Sequence, residues 1–116
     1  MLVNAIILFA IAALGGLTMA ILHFRGRTPP PAWLAVLHGI FAACGLIVLV
    51  LAVIQAATHG ATVALVLLLI AALGGFTLLS FHIRRRALPN ALVIGHALIA
   101  VAGFIVLLAA AWALTG

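Results

Sequence analysis

Four long apolar segments, separated by short polar breaks, constrain this chain more than any other feature of its sequence. The segments cover about residues 2–24, 32–58, 61–83 and 91–114. A helix needs about 20 apolar residues to cross a hydrocarbon core about 30 Å thick, and every segment meets that length. We therefore predict an all-α integral membrane protein in which four transmembrane helices form a bundle.

The charged residues agree with a membrane protein and argue against a nucleic-acid binder. Only 4% of the residues are charged and 70% are hydrophobic, whereas about a quarter of the residues of a soluble domain are charged. All five positive charges are arginines in two short loops, and the chain has no Asp or Glu. The lack of carboxylates also argues against hydrolytic catalysis and against a proton- or sodium-coupled carrier.

An internal repeat divides the chain into two helical hairpins. Residues 11–16 (IAALGG) recur letter for letter as residues 70–75, at an offset of 59 that becomes 58 after the loop. The coinciding polar and glycine positions are Thr18 with Thr77, His23 with His82, Arg25 with Arg84, Arg27 with Arg86, His38 with His96, and Gly45 with Gly103. We predict one four-helix domain, in which residues 1–60 form the first hairpin and residues 61–116 the second. Both hairpins insert with the same orientation, so a pseudo-two-fold axis should run along the membrane normal.

The loops predict an orientation in the bilayer. Both arginine-containing breaks, residues 25–31 and 84–90, fall on one side, which the positive-inside rule assigns to the cytoplasm. Both termini then face outward, in what we expect to be the bacterial inner membrane. Trp33 and Trp112 fall near opposite interfaces, as aromatic belts do.

Three single residues carry local predictions. Gly60 is suited to a left-handed position at the end of a helix, and Asn90 is suited to cap the start of the last helix. Cys44 is a lone cysteine inside an apolar run, and we interpret it as a small buried residue.

Four of the five histidines follow the repeat, and each has a glycine seven residues deeper in the membrane. His23 and His82 end the first helix of each hairpin, whereas His38 and His96 lie about two turns into the second helix. Seven residues are about two helical turns, so each histidine shares a helix face with its glycine. The glycines are Gly16, Gly45, Gly75 and Gly103. His59 lies outside the repeat, and we interpret it as an exposed turn residue.

This pattern favours non-covalent haem b, as one or two groups. Imidazole is an axial ligand of haem iron, and a glycine leaves room for the porphyrin ring. The candidate iron ligands are His38, His96, His23 and His82. A single haem on the pseudo-two-fold axis would take His38 and His96, but two haems with ligands from adjacent helices are equally compatible with the sequence. The candidate partners of the anionic propionates are Arg25, Arg27, Arg84, Arg85 and Arg86.

The outline resembles small b-type membrane cytochromes, notably the cytochrome b561-like group. The segments that carry the resemblance are Leu37-His38-Gly39 with Gly45-Leu46, and Gly95-His96-Ala97 with Gly103-Phe104. The resemblance implies a haem b protein that transfers electrons. It differs from the two-haem pattern in one respect, because all four repeated histidines lie toward one face. This departure argues against electron transfer across the membrane and is compatible with a one-sided haem that exchanges electrons with quinone or with a partner subunit.

Three functions therefore remain open from the sequence. The first is a haem b protein of electron transfer, more an electron carrier or anchor subunit of a respiratory complex than an enzyme acting alone. The second is a small transporter or a metal-binding membrane protein, in which the histidines bind a metal ion or relay protons. The third is an accessory subunit whose histidines and glycines serve helix packing, with self-association through glycine-rich faces.

Overall fold

A computed structural model describes residues 1–27 and 29–115, and within them the chain forms a bundle of four α-helices. The helices are α1 (Leu2–Phe24), α2 (Ala32–Gln55), α3 (His59–Ile83) and α4 (Asn90–Ala113). All four are long and apolar enough to cross a membrane, with mean hydropathies of 2.5 to 2.7 over their most apolar windows. The prediction of a four-helix membrane bundle is confirmed. Helix α1 packs chiefly on α2, and α3 chiefly on α4.

The turn between α2 and α3 differs from the sequence prediction. Helix α2 ends at Gln55, and α3 begins at His59 because the hydroxyl of Thr58 accepts a hydrogen bond from the Ala61 amide at 3.2 Å. The expected C-cap role of Gly60 is wrong, since Gly60 lies inside the first turn of α3. A Cβ at Gly60 would lie 2.9 Å from the Cβ of Ala110, so the glycine permits α3 to approach α4 closely.

Two further local predictions are wrong. Asn90 is the first residue of α4 rather than its cap, and its side chain makes no capping hydrogen bond. Cys44 is exposed on the outside of α2. In a helix that crosses a bilayer, an exposed small thiol faces lipid at little cost, because hydrocarbon surrounds it in either position.

The buried core occupies only one end of the bundle. We call this end, which holds Met1, Thr115 and the α2–α3 turn, the terminus end, and the opposite end, which holds both arginine loops, the Arg end. The buried helix residues are Ala5, Phe9, Ala12, Gly45, Leu49, Ala52, Ala61, Ala64, Leu68, Ala71, Gly103, Leu107 and Ala110. None lies beyond the midpoint of its helix toward the Arg end.

Burial follows the repeat found in the sequence. Phe9 corresponds to Leu68 and Leu49 to Leu107, and all four are buried in one cluster. These pairs keep the offsets of 59 and 58 that relate the two copies. The two hairpins therefore contribute equivalent faces to a shared core, while the halves of the helices toward the Arg end contain no fully buried residue among those described.

Candidate functional site

In the first hairpin, the His38 imidazole lies directly against the backbone of α1. Its Nδ1 lies 2.7 Å from the carbonyl oxygen of Ala12. A side chain at position 16 would cover that carbonyl, because helical side chains point back over the preceding turn. Gly16 has none, and a Cβ there would lie 3.0 Å from Cε1 of His38. The glycine therefore admits the imidazole and leaves the carbonyl accessible to it.

The second hairpin repeats this arrangement. The Nδ1 of His96 lies 2.7 Å from the carbonyl oxygen of Ala71. A Cβ at Gly75 would lie 3.2 Å from Cε1 of the His96 ring. His96 and Ala71 occupy the repeat positions of His38 and Ala12. The sequence repeat therefore produces the same contact in both hairpins, in which a histidine ring packs over a glycine of the preceding helix.

The two imidazoles meet between the hairpins. The centroids of the His38 and His96 rings are 6.2 Å apart, and the ring planes are inclined at 85°. A carbonyl oxygen only accepts hydrogen bonds, so each neutral ring carries its proton on Nδ1 and donates it. Each Nε2 then presents a lone pair. This is the tautomer that a metal-ligating histidine adopts when a carbonyl orients its other nitrogen.

The pair brings together two side chains that can bind a metal, without a third. Among residues 1–27 and 29–115, no group of three or more His, Cys, Asp or Glu side chains lies within reach of one metal ion. Cys44 is exposed, and the chain has no carboxylate side chain. Within the described residues, a metal held by His38 and His96 would therefore find no third ligand of these types.

The other repeated histidines do not form an equivalent pair. The Nε2 of His23 lies 2.7 Å from Oδ1 of Asn90, at the start of α4. The Nδ1 of His23 is buried and has no hydrogen-bond partner among the described residues. The repeat position of Asn90 is Ala32, which has no polar side chain. His82 consequently lacks the corresponding bond and instead lines a cleft in the second arginine loop. His59, outside the repeat, is exposed at the start of α3.

The remaining predicted site residues divide between the two ends of the bundle. Gly45 and Gly103 lie in the buried core, where a Cβ would meet the Phe9 ring at 3.0 Å and Cγ of Leu68 at 2.8 Å. The five arginines are exposed at or just beyond the ends of α1 and α3. Sequence analysis missed the roles of Asn90 and of the Ala12 and Ala71 carbonyls, because each depends on how two helices align against each other.

Comparison with the known protein families, with curated proteins and with solved structures found no match to this chain. The fold and the site together describe a duplicated four-helix membrane bundle with a histidine pair between its hairpins.

Proposed function

We propose that this protein binds haem b through His38 and His96 and takes part in electron transfer within the membrane. The observation that carries the proposal is the pair itself: two imidazoles from equivalent repeat positions, 6.2 Å apart. Both hold their Nδ1 against a backbone carbonyl at 2.7 Å, which leaves both Nε2 atoms as lone-pair donors.

The separation of the rings suits two axial ligands of one metal. A bond between a metal and an imidazole nitrogen is about 2 Å long, and the ring centre lies about 1 Å beyond the nitrogen. Two rings that bind one ion from opposite sides therefore have centres about 6 Å apart, close to the observed 6.2 Å. The 85° inclination of the planes keeps the two rings from stacking on each other.

The number of ligands favours haem over a bare ion. Structural zinc sites use four protein ligands and catalytic sites use three, but the described residues offer only two at this place. Haem iron needs only two, because the porphyrin supplies the other four. The transporter and metal-binding alternatives lack the third ligand that a tight ion site would require.

The surroundings of the pair also support haem. The buried helix residues lie toward the terminus end, and the halves of the helices nearer the Arg end contain none among the described residues. Gly39 and Gly95, next to the two histidines, have no atom within 4 Å of the place where a Cβ would be. Arg25, Arg27, Arg84 and Arg86 are exposed at the Arg end, where they would pair with the anionic propionates.

A bound haem would supply one-electron chemistry, and the protein would supply ligands, orientation and an apolar environment that excludes water. All candidate ligands lie toward one end of the bundle, so the proposed electron exchange is one-sided. Its partner would be quinone or a subunit of a larger redox complex. His23 and His82 remain candidates for a second haem.

The test is the visible absorption spectrum of the detergent-purified protein, oxidised and then reduced with dithionite, after expression with an adequate haem supply. We expect a Soret band and sharp α and β bands on reduction. His38→Ala and His96→Ala should each abolish these bands, whereas His59→Ala, which changes an exposed histidine outside the repeat, should retain them. A featureless wild-type spectrum would overturn the proposal.

One observation favours a second candidate function, that of an accessory subunit. His38 and His96 already cross-link α1 to α2 and α3 to α4 through their Nδ1 bonds, which is a sufficient structural reason for a partly buried polar residue in a membrane. A colourless protein whose stability falls in both alanine variants would support this function.

A further inference from the structure

The second arginine loop departs from the repeat at one position, where the backbone conformation is unfavourable for a residue with a Cβ. Both α1 and α3 end in the same motif: the amides of Gly26 and Arg27 bond to the carbonyls of His23 and Leu22. The amides of Arg85 and Arg86 repeat these bonds with His82 and Phe81. This motif requires a left-handed residue, usually glycine.

The first loop meets this requirement with Gly26, at φ 80°, and the second places Arg85 there, at φ 55°. Arg85 is the only residue other than glycine with a positive φ in the described part of the chain. A long side chain in the left-handed region is uncommon, and an outlier of this kind points to a functional constraint at its position.

Arg85 lines a cleft of about 470 Å³ together with His82, Arg86, Leu88 and Pro29. His82 has no counterpart of the His23–Asn90 bond, since the equivalent of Asn90 is Ala32. Among the described residues the His82 imidazole has no hydrogen-bond partner, so it can donate to a ligand in the cleft that Arg85 and Arg86 also line. A second cleft, at the terminus end, contains no charged residue among those that line it.

The chain has no Asp or Glu with which these arginines can pair. The amides of Arg84, Arg85 and Arg86 are already bonded to helix carbonyls, so an anion at this cleft would be bound by side chains. Guanidinium groups bind phosphate oxygens in pairs through their planar donor fork. The cleft lies beside Ile83, the last residue of an apolar helix, where lipid headgroups meet a membrane protein.

We propose that this cleft is a binding site for a phosphate group, and that the phosphate belongs to an acidic phospholipid held between Arg85, Arg86 and His82. The first loop has Gly26 at the equivalent left-handed position, so it has no counterpart of the Arg85 side chain. It does not depend on haem, and its test does not use the visible spectrum.

The experiment measures thermal unfolding of the full-length protein in a neutral detergent. The probe is dioctanoyl phosphatidylglycerol, with dioctanoyl phosphatidylcholine as the lipid of no net charge and inorganic phosphate as the soluble source. We expect phosphatidylglycerol to raise Tm by about 4 °C or more, and we expect phosphatidylcholine and inorganic phosphate at equal concentration to leave Tm unchanged.

The variant is Arg85→Gly, which should abolish this shift. Glycine at position 85 removes the backbone strain, so the variant should fold at least as well without lipid. The matched control is Arg25→Gln, which removes one positive charge from the first loop and should retain the shift. An equal loss in both variants, a retained shift in the Arg85 variant, or an equal shift with inorganic phosphate would overturn the proposal.

Discussion

The two hairpins are nearly equivalent where they pack and differ where they end. At the terminus end, Phe9 and Leu49 of the first hairpin match Leu68 and Leu107 of the second. At the Arg end, the first hairpin has a glycine and a histidine bound to Asn90, whereas the second has a strained arginine and a histidine without that bond. A duplicated sequence has kept its packing and has changed its loops.

This difference separates two kinds of constraint. Core residues of both copies must fit one another, so a change in one copy requires a compensating change in the other. Loop residues contact water and lipid headgroups, so each copy can change alone. The His38–His96 pair resembles the core in this respect, because its two members come from equivalent positions and their rings lie next to each other.

The largest expected effect tests the equivalence of the two histidines. If the pair holds haem as proposed, His38→Ala and His96→Ala should each remove essentially all of it, because loss of either imidazole leaves a single protein ligand. Haem content per protein, measured by pyridine haemochrome absorbance, is the readout. A loss confined to one variant would show that the pair is not the ligand set and that the two copies have diverged at this site.

The next effect compares the glycines of the shared core. Gly103→Ala places a Cβ 2.8 Å from Cγ of Leu68, and Gly45→Ala places one 3.0 Å from ring atoms of Phe9. Overpacking of this kind costs about 1–3 kcal/mol, and we expect Gly103→Ala to cost more, because a branch carbon moves less easily than a ring edge. Denaturation in mixed micelles measures both, and Gly39→Ala, with open space around it, should cost nothing.

A smaller effect exchanges the left-handed residues of the two loops. Arg85→Gly should stabilise the fold and Gly26→Arg should destabilise it, each by about 1 kcal/mol, the cost of a left-handed conformation for a residue with a Cβ. The free energy of unfolding without added lipid is the measurement. Destabilisation by Arg85→Gly would mean that the arginine makes folding contacts that outweigh its backbone strain.

The smallest effect concerns the bond between His23 and Asn90, which joins the two hairpins at the Arg end. Asn90→Ala removes the acceptor of His23 and should cost about 0.5 kcal/mol, because the bond is exposed, whereas Ala32→Asn places an amide at the equivalent position for His82. Unfolding of both variants and of the double variant measures the two bonds. If Ala32→Asn gives no gain, the two ends of the repeat are not equivalent in geometry.

Much of the fold was predictable because membrane spans depend on length and hydropathy. Helix α1 has the predicted bounds, and the other three differ by at most three residues at either end. The errors at Gly60 and Asn90 share a cause: each residue serves a contact with another helix, to Ala110 and His23 respectively. Local propensity does not contain such contacts.

The candidate site was predictable only in part. The repeat placed His38 and His96 at equivalent depth, and the structure brings their rings together. The expectation that Gly16 leaves room for a porphyrin did not foresee that the space over it holds the His38 ring itself. The left-handed φ of Arg85 could not be predicted either, because the sequence shows a run of three arginines but not the backbone conformation of the middle one.

The confinement of the core to the terminus end has a consequence for mutational tolerance. The buried core residues lie toward the terminus end, whereas the side chains of His38, His96 and the arginines lie toward the Arg end. Substitutions toward the Arg end can therefore alter ligands, charge or specificity without creating a cavity in the part that carries the packing energy. Such a chain can acquire a new binding property in one hairpin while the other preserves the original, and that is the freedom which a duplicated unit offers to natural variation.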